Sequence, residues 1–442
     1  MRKNNKTQFI EKTAGISLVC GGFILLLAGP ASAQVESSYQ LSQPSQSSQS
    51  SQSVDQIYQD VGTSINDNLS QFTSTSSCST GCNGCDSCNN GLGLENLDLN
   101  LGSLEPACCL GEPFSLADEI LGTCDRTINF GGWTQWGWHS ESNGLFNNHD
   151  SRIQNHQSWL YAEKVAEQGC CLDWGFHVDF MYGLDAQNTQ TFGGSGDDWD
   201  ADWDNGIYGY AVPQLYVELA KGDWRIKAGK FYSQAGYEVV QATGNFFYSH
   251  SYTMINSEPI TQSGFLTTYS VSDDLDVYAG WTAGWDTGST QFNNGSQFLG
   301  GFAYDVGCDT TFTYIVNSGG FGRREEGFQH SMVMDHKLSD CLNYVIQSDL
   351  LDTNAGNNHS FGVNQYLIYT VSDCLGYGAR AEWYKFNGNS QYATTIGVNY
   401  KPCANVILRP EIRHDLNPSG NRFNTDGKRN FTTVAMDAIL TF

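Results

Sequence analysis

From Val434 onward the chain alternates strictly. Val434, Met436, Ala438, Leu440 and Phe442 are apolar, while Asp437 and Thr441 fall between them. In a β-strand, a period of two puts the two sets on opposite faces, so this strand has one face for oil and one for water. A strand of that kind ending on an aromatic residue is the form that the outer-membrane assembly machinery of Gram-negative bacteria reads. Beyond the first thirty-three residues there is no continuous apolar run long enough for a spanning helix. Any crossing must therefore be made by strands. In a bilayer, strands satisfy their backbone groups only by closing into a barrel.

The start of the chain predicts export. Arg2, Lys3, Lys6 and Lys12 form a basic region, an apolar stretch runs from Ala14 to Gly29, and Ala31-Ser32-Ala33 supplies the small residues of a cleavage site. Residues 1–33 read as a signal peptide, with the mature chain beginning at Gln34. Losing that leader removes four basic residues and Glu11, which deepens the net charge from −25 to −28. So acidic a chain excludes nucleic acid as a partner, because phosphate backbones demand basic surface. Eleven Trp, 22 Tyr, 24 Phe and 48 Gly suit the aromatic girdles and bends of an outer-membrane barrel.

Composition then changes along the chain. Residues 34–76 are Ser/Gln-rich and predict disorder, although Ile57, Val61, Ile65 and Leu69 recur at helical spacing. Residues 77–126 form a cysteine-rich, periplasmic segment that ends in a short helix over 114–121, capped by Ser115. Residues 127–442 carry the barrel. Strands are expected at 127–140, 154–166, 172–184, 211–220, 223–232, 261–271, 275–286, 296–306, 309–317, 327–338, 341–351, 358–371, 374–386, 390–401, 403–414 and 430–442. That is sixteen, an even number, as a closed bacterial barrel requires. Trp174, Phe176, Val178, Phe180 and Tyr182 share one face, as do Val277, Ala279, Trp281, Ala283 and Trp285. Tight turns near Gly169, Gly222, Asp273, Gly307, Asp340, Asp373 and Pro402 alternate with longer polar loops. The fold class is all-β, a transmembrane antiparallel up-and-down barrel with both ends on the periplasmic side.

Four segments resemble the OmpL-like β-barrel porins. They are Gln157-Ser158-Trp159-Leu160-Tyr161 leading to Glu163-Lys164; Gly175-Phe176-His177-Val178-Asp179-Phe180 with Tyr182-Gly183 and Asp185; Pro213-Gln214-Leu215-Tyr216; and Ile226-Lys227-Ala228-Gly229-Lys230-Phe231, continuing through Gly236-Tyr237-Glu238, Asn245, Ser249 and the stretch 259–264. The resemblance runs from about residue 112 to the end. It implies an outer-membrane pore and brings no catalytic residues.

Charges inside a pore decide what passes. If Trp224, Ile226 and Ala228 face lipid, Arg225 and Lys227 face the lumen. Arg409, Glu411 and Arg413 share a face, as do Arg380 and Glu382, and His177 and Asp179 lie opposite the Trp174 face. These nine are pore-lining candidates, with interior bracing as the other reading of the same ladder. The segment 233–260, carrying Tyr237, Phe246, Phe247, Tyr248 and Tyr252, either folds inward as a constriction or packs outside. Asp198, Asp200, Asp202 and Asp204 are weak calcium candidates, lacking EF-hand spacing; no other cofactor is expected.

Fourteen cysteines less Cys20 leave thirteen. In an exported chain disulfides are the default. The candidates are Cys78, Cys82, Cys85, Cys88, Cys108, Cys109, Cys124, Cys170, Cys171, Cys308, Cys341, Cys374 and Cys403. The last six ring the expected periplasmic turns and would cross-link the tail or a neighbouring subunit. His156 and Ser158 are too sparse a pair for a hydrolase, and no enzyme is expected. The reading is an outer-membrane porin for passive diffusion of small hydrophilic solutes, in contact with outer-membrane lipid, either alone or as a homo-oligomer. The alternative is a structural or adhesive envelope protein anchored by the barrel and linked to envelope neighbours through its cysteine-rich tail.

Overall fold

The computed structural model describes residues 110–442 apart from 123–126, 145, 192–199, 201–203, 289–290, 292, 355–357 and 419–427. The leader, the Ser/Gln segment and Cys78 through Cys109 lie outside the described residues, as do Cys124, Asp198 and Asp202.

The chain forms one closed antiparallel barrel. Its staves are β1 (Asn129–His139), β2 (Gln154–Lys164), β3 (Asp173–Gly183), β4 (Gly209–Ala211 and Leu215–Lys221), β5 (Trp224–Tyr232), β6 (Thr261–Ser272), β7 (Leu275–Trp285), β8 (Ser296–Asp305), β9 (Thr310–Gly320), β10 (Glu326–Ser339), β11 (Leu342–Thr353), β12 (Asn358–Ser372), β13 (Leu375–Phe386), β14 (Asn389–Cys403), β15 (Val406–Leu416) and β16 (Asn430–Thr441). Both segments of β4 pair with β3, so the seventeen hydrogen-bonded pieces make sixteen staves. The break falls at Val212, Pro213 and Gln214. Proline has no N–H for the ladder, which confines it to such interruptions. Each stave pairs with its neighbours in sequence, and β16 returns to β1 in the register Trp133↔Thr441 to His139↔Ala435. Phe442 completes the seam: its N–H donates to the Gly132 carbonyl and its own carbonyl accepts from Gly132 N–H, both at 2.9 Å.

The period-two reading holds in the wall. On β16, Val434, Met436 and Leu440 are about half exposed, while Ala435, Asp437 and Ile439 are buried. Trp174, Trp224, Ile226, Ile396 and Ile412 point outward as well. On β7 the stripe stops short. Val277 and Trp281 are outside, but Ala283 and Trp285 are buried. A bulge explains the change: Gln262 pairs with Trp285 and Gly264 with Thr282, so β7 carries one extra residue and its faces exchange.

Six tight turns lie at the rim that holds Phe442, while the seventh connection there, between Lys164 and Asp173, runs to eight residues instead of the tight turn expected near Gly169. The opposite rim is more varied than expected. Its β13–β14 connection is only Asn387-Gly388, both at positive φ, the pattern of a two-residue hairpin rather than a long loop. The short helix α1 (Leu116–Leu121) begins at Ser115, whose hydroxyl accepts from Asp118 N–H at 3.2 Å. Ahead of it the chain lies on the seam-side rim. The Ala404 N–H donates to the Leu110 carbonyl at 3.0 Å, and the Asn405 side chain exchanges bonds with Phe114 N–H and C=O at 2.6 and 2.8 Å.

Candidate functional site

The connection between β5 and β6, residues 233–260, folds into the barrel. From Asn245 to Ile260 every residue is buried. Its backbone amides and carbonyls have left water, so each needs a partner. The wall supplies them, and it does so with the charged residues of β13 and β15.

Glu382 on β13 accepts from the N–H groups of Tyr252 and Thr253 and from the Thr253 hydroxyl, each at 2.8 Å. Those two amides open the helical turn α2 (Tyr252–Ser257), whose cap is Ser251. Glu411 on β15 accepts from Tyr248 N–H at 3.0 Å and from Ser249 N–H at 3.2 Å. The arginines take the carbonyls. Arg380 donates to Ser249 C=O at 2.6 Å, Arg409 to Ala242 C=O at 2.8 Å and Asn245 C=O at 2.6 Å, and Arg413 to His250 C=O at 2.5 Å. Each arginine is also paired with a carboxylate: Arg380 with Glu238 of the loop, Arg409 with Asp437, and Arg413 with Asp415. The alternation of Arg and Glu at every second position thus presents a row of acceptors and donors to one incoming backbone.

The tip of the loop is placed by shape. Phe246 lies against Gly378 on β13, Phe247 against Gly397 on β14, and Tyr248 against Gly137 on β1. A Cβ at Gly378 would overlap the Phe246 ring, and one at Gly137 would sit 2.5 Å from the Tyr248 oxygen. Three consecutive rings therefore fill three gaps on three staves. Tyr248 also bonds through its hydroxyl to His156 Nε2 at 2.5 Å, and His156 Nδ1 meets Asp185 at 3.1 Å. A further anchor is Gln347 on β11. Its Oε1 accepts from Tyr237 N–H at 3.1 Å and its Nε2 donates to Glu258 at 2.6 Å and Asp349 at 2.5 Å.

Electrostatics of the loop carboxylates differ. Burial alone would push Glu238 up, but the Arg380 charge and donors from His250 and Ser251 outweigh it and hold the group below the usual carboxylate range. Among the described residues no cation offsets the burial of Glu258. Burial, followed by the nearby Asp349 charge, pushes it well above that range.

The other sequence candidates are placed as follows. Arg225, buried on β5, lies 3.7 Å from Glu218, and Lys227 lies over the rings of Tyr216 and Phe231. His177 sits between Glu163 and Asp179 at 3.0 and 2.9 Å. Asp200 accepts from Thr191 and faces Lys230 at 3.5 Å, and Asp204 accepts from Gln190. Among the described residues no three His, Cys, Asp or Glu groups are placed to hold a metal. Ser158 and His156 diverge. Gln135 pairs with Gln157 and Trp136 with Asn155, which leaves His156 as the extra residue of a bulge pointing inward. Ser158 bonds Asn155 and Thr134 instead.

All six turn cysteines of the described chain lie at the seam-side rim. Cys308, Cys341 and Cys374 are disulfide-bonded. Cys170, Cys171 and Cys403 are free and exposed, contrary to expectation. The adjacent Cys170 and Cys171 sulfurs are 3.6 Å apart, too far for the bond of about 2.05 Å. The glycine gaps at Gly137, Gly378 and Gly397 were not singled out in the sequence, where glycine is frequent throughout the barrel.

Residues 127–442 match the family described as beta-barrel porin-2, OmpL-like. The chain belongs to this family. No curated protein matches it by sequence. Among solved structures, the outer membrane channel DcaP of Acinetobacter baumannii is 11% identical, covers 71% of this chain and 97% of its own, and superposes with a TM-score of 0.51. The anion-selective porin from Comamonas acidovorans is 11% identical over 71% of this chain and 99% of its own, at a TM-score of 0.49. At such identities the likeness concerns the fold alone. In this OmpL-like barrel Arg380, Glu382, Arg409, Glu411 and Arg413, pore-lining candidates from the sequence, are engaged with the loop, while Arg225 stays with Glu218 in the wall.

Proposed function

We propose that this OmpL-like barrel is an outer-membrane porin through which small hydrophilic solutes diffuse passively, with residues 233–260 narrowing the lumen. The observation that carries the reading is the loop itself. A segment that lies inside the barrel with its backbone bonded to the wall reduces the cross-section without closing the cylinder covalently. An apolar outer face and a polar inner face suit lipid outside and water within. The ladder charges act first as a latch, because each is already paired or bonded to the loop, and their effect on ion preference follows from where they hold it. The test is conductance of the purified, refolded protein in planar bilayers. Discrete steps proportional to salt concentration are expected; a folded, heat-modifiable barrel that never conducts would sink the porin reading.

A second reading has its own observation. Leu110 and Phe114 are bonded to the rim turn at Ala404 and Asn405, beside a ring of turn cysteines. This supports a role for the preceding segment as a tether to the envelope. Cell envelopes prepared under thiol-blocking conditions and mapped without reductant would test it. Recovery of the cysteine-rich segment joined to a rim peptide or to another protein supports the tether, and its recovery unlinked counts against it.

A further inference from the structure

Away from the latch, at the base of the loop, four uncharged amides meet on the inner wall. Gln262 of β6 and Gln297 of β8 both donate through Nε2 to Asn317 Oδ1 of β9, at 2.8 and 3.2 Å. Asn317 in turn donates through Nδ2 to Gln329 Oε1 of β10 at 2.8 Å. Each of the four is at most 1% exposed, while Phe265, Phe298 and Phe328 of the same staves point outward. Gln262 follows Ile260, the last loop residue, by two positions, so the cluster stands where the loop enters the lumen.

The network uses only part of its hydrogen-bonding capacity. Among the described residues, Gln262 Oε1, Gln297 Oε1 and Gln329 Nε2 meet no partner, and neither does the hydroxyl of Thr282, which lies directly across from Gln297. A buried polar atom left unmet is costly, so four together on one wall favour an occupant that both donates and accepts. Asp286 and Arg324 stand at the same end of the loop and bind its backbone. Asp286 accepts from the N–H groups of Ile260 and Thr261, and Arg324 donates to Asn256 C=O and lies over the Trp285 ring. The four amides carry no charge, so an ion bound to them would lose water without gaining a counter-charge from them, whereas a hydroxyl group would exchange one set of hydrogen bonds for another.

We propose that the Gln262–Gln297–Asn317–Gln329 cluster, with Thr282, is a recognition site for a neutral polyhydroxylated solute, a sugar or polyol, on its way through the constriction. This rests on the porin reading. The test is swelling of liposomes carrying the full-length protein in glucose, gluconate or glucosamine, three solutes of similar size and different charge, alongside potassium chloride conductance. Glucose should enter fastest. The double variant Gln297→Leu and Gln329→Leu should lose about tenfold of that preference, one to two hydrogen bonds' worth, with salt conductance unchanged. Asn317→Asp keeps the shape and adds a charge, and should turn the preference toward glucosamine. Salt conductance with equal entry of all three solutes, or a preference that survives in the double variant, overturns this proposal alone. A protein that passes neither salt nor any of the three overturns the porin reading, and this proposal with it.

Discussion

Gly378 is small because Phe246 occupies the space its side chain would take. The same holds for Gly397 beside Phe247 and Gly137 beside Tyr248. At this scale the loop is placed by volume as much as by charge. Interiors are close-packed, and an added methyl group that cannot be absorbed costs about 1–3 kcal/mol. Gly378→Ala should therefore push the aromatic tip off β13 without disturbing the barrel, whose ladder does not depend on that ring. The expected outcome is wild-type gel mobility with larger or noisier conductance steps. Unchanged steps in a folded variant would mean that the tip does not set the aperture. Glu382 illustrates the other half of the argument. It accepts from three donors at the start of α2, and truncating it would strand all three in the interior. Sequence reading found Glu382 from its alternation with Arg380, but alternation says only which face a residue is on. It says nothing about what comes to meet it there.

At the scale of the element, the loop carries its own pH dependence. Glu258 is pushed well above the usual carboxylate range by burial and then by the Asp349 charge. Asp286, in the turn after β7, is pushed up from 3.8 to about 7 by burial, against the N–H groups of Thr261 and Ile260 and the charge of Arg324. Both are raised in the folded state, so the folded loop holds protons that an unfolded one would release. The contribution to stability is full below about pH 4, the unfolded value, and declines as pH rises through about 7 and above. Glu238 runs the other way: Arg380 and its other donors lower it despite burial, so its contribution fails only in acid. Protease access to the loop should accordingly be greater at about pH 9 than at about pH 5, and Glu258→Gln should reduce that difference. Equal protection at both values would show that neither carboxylate controls the loop. Nothing in the sequence marks Glu258 as unusual. Its position depends on Gln347 and Asp349, about ninety residues away, meeting it across the lumen.

At the scale of the whole molecule, closure rests on β1 and β16, and Phe442 is the last pair of that seam. Its ring stands over Gly132, where an added Cβ would fall 2.9 Å from it. Phe442→Ser keeps the two backbone bonds and removes the ring. The expected outcome is a loss of heat-modifiable, membrane-inserted protein, read on unheated gels of fractionated cells; normal levels would show that the seam and its assembly do not need the aromatic end. The barrel itself was legible in the chain because a bilayer admits few solutions. Strands in lipid must alternate, must come in lengths near ten residues and must close, and each of those demands leaves a local mark, from the stripe ending at Leu440 to the turn residues at the rim. The faces of Arg380, Glu382, Arg409, Glu411 and Arg413 were legible for the same reason. The inward course of residues 233–260 was not. Aromatic and polar residues in a long connection serve an outer loop and an inner one equally well, and the choice is made by gaps and charges on staves more than a hundred residues away in sequence, on either side. The period of two is a property of neighbours in sequence; the latch is a property of neighbours in space, and only the closed barrel brings those together.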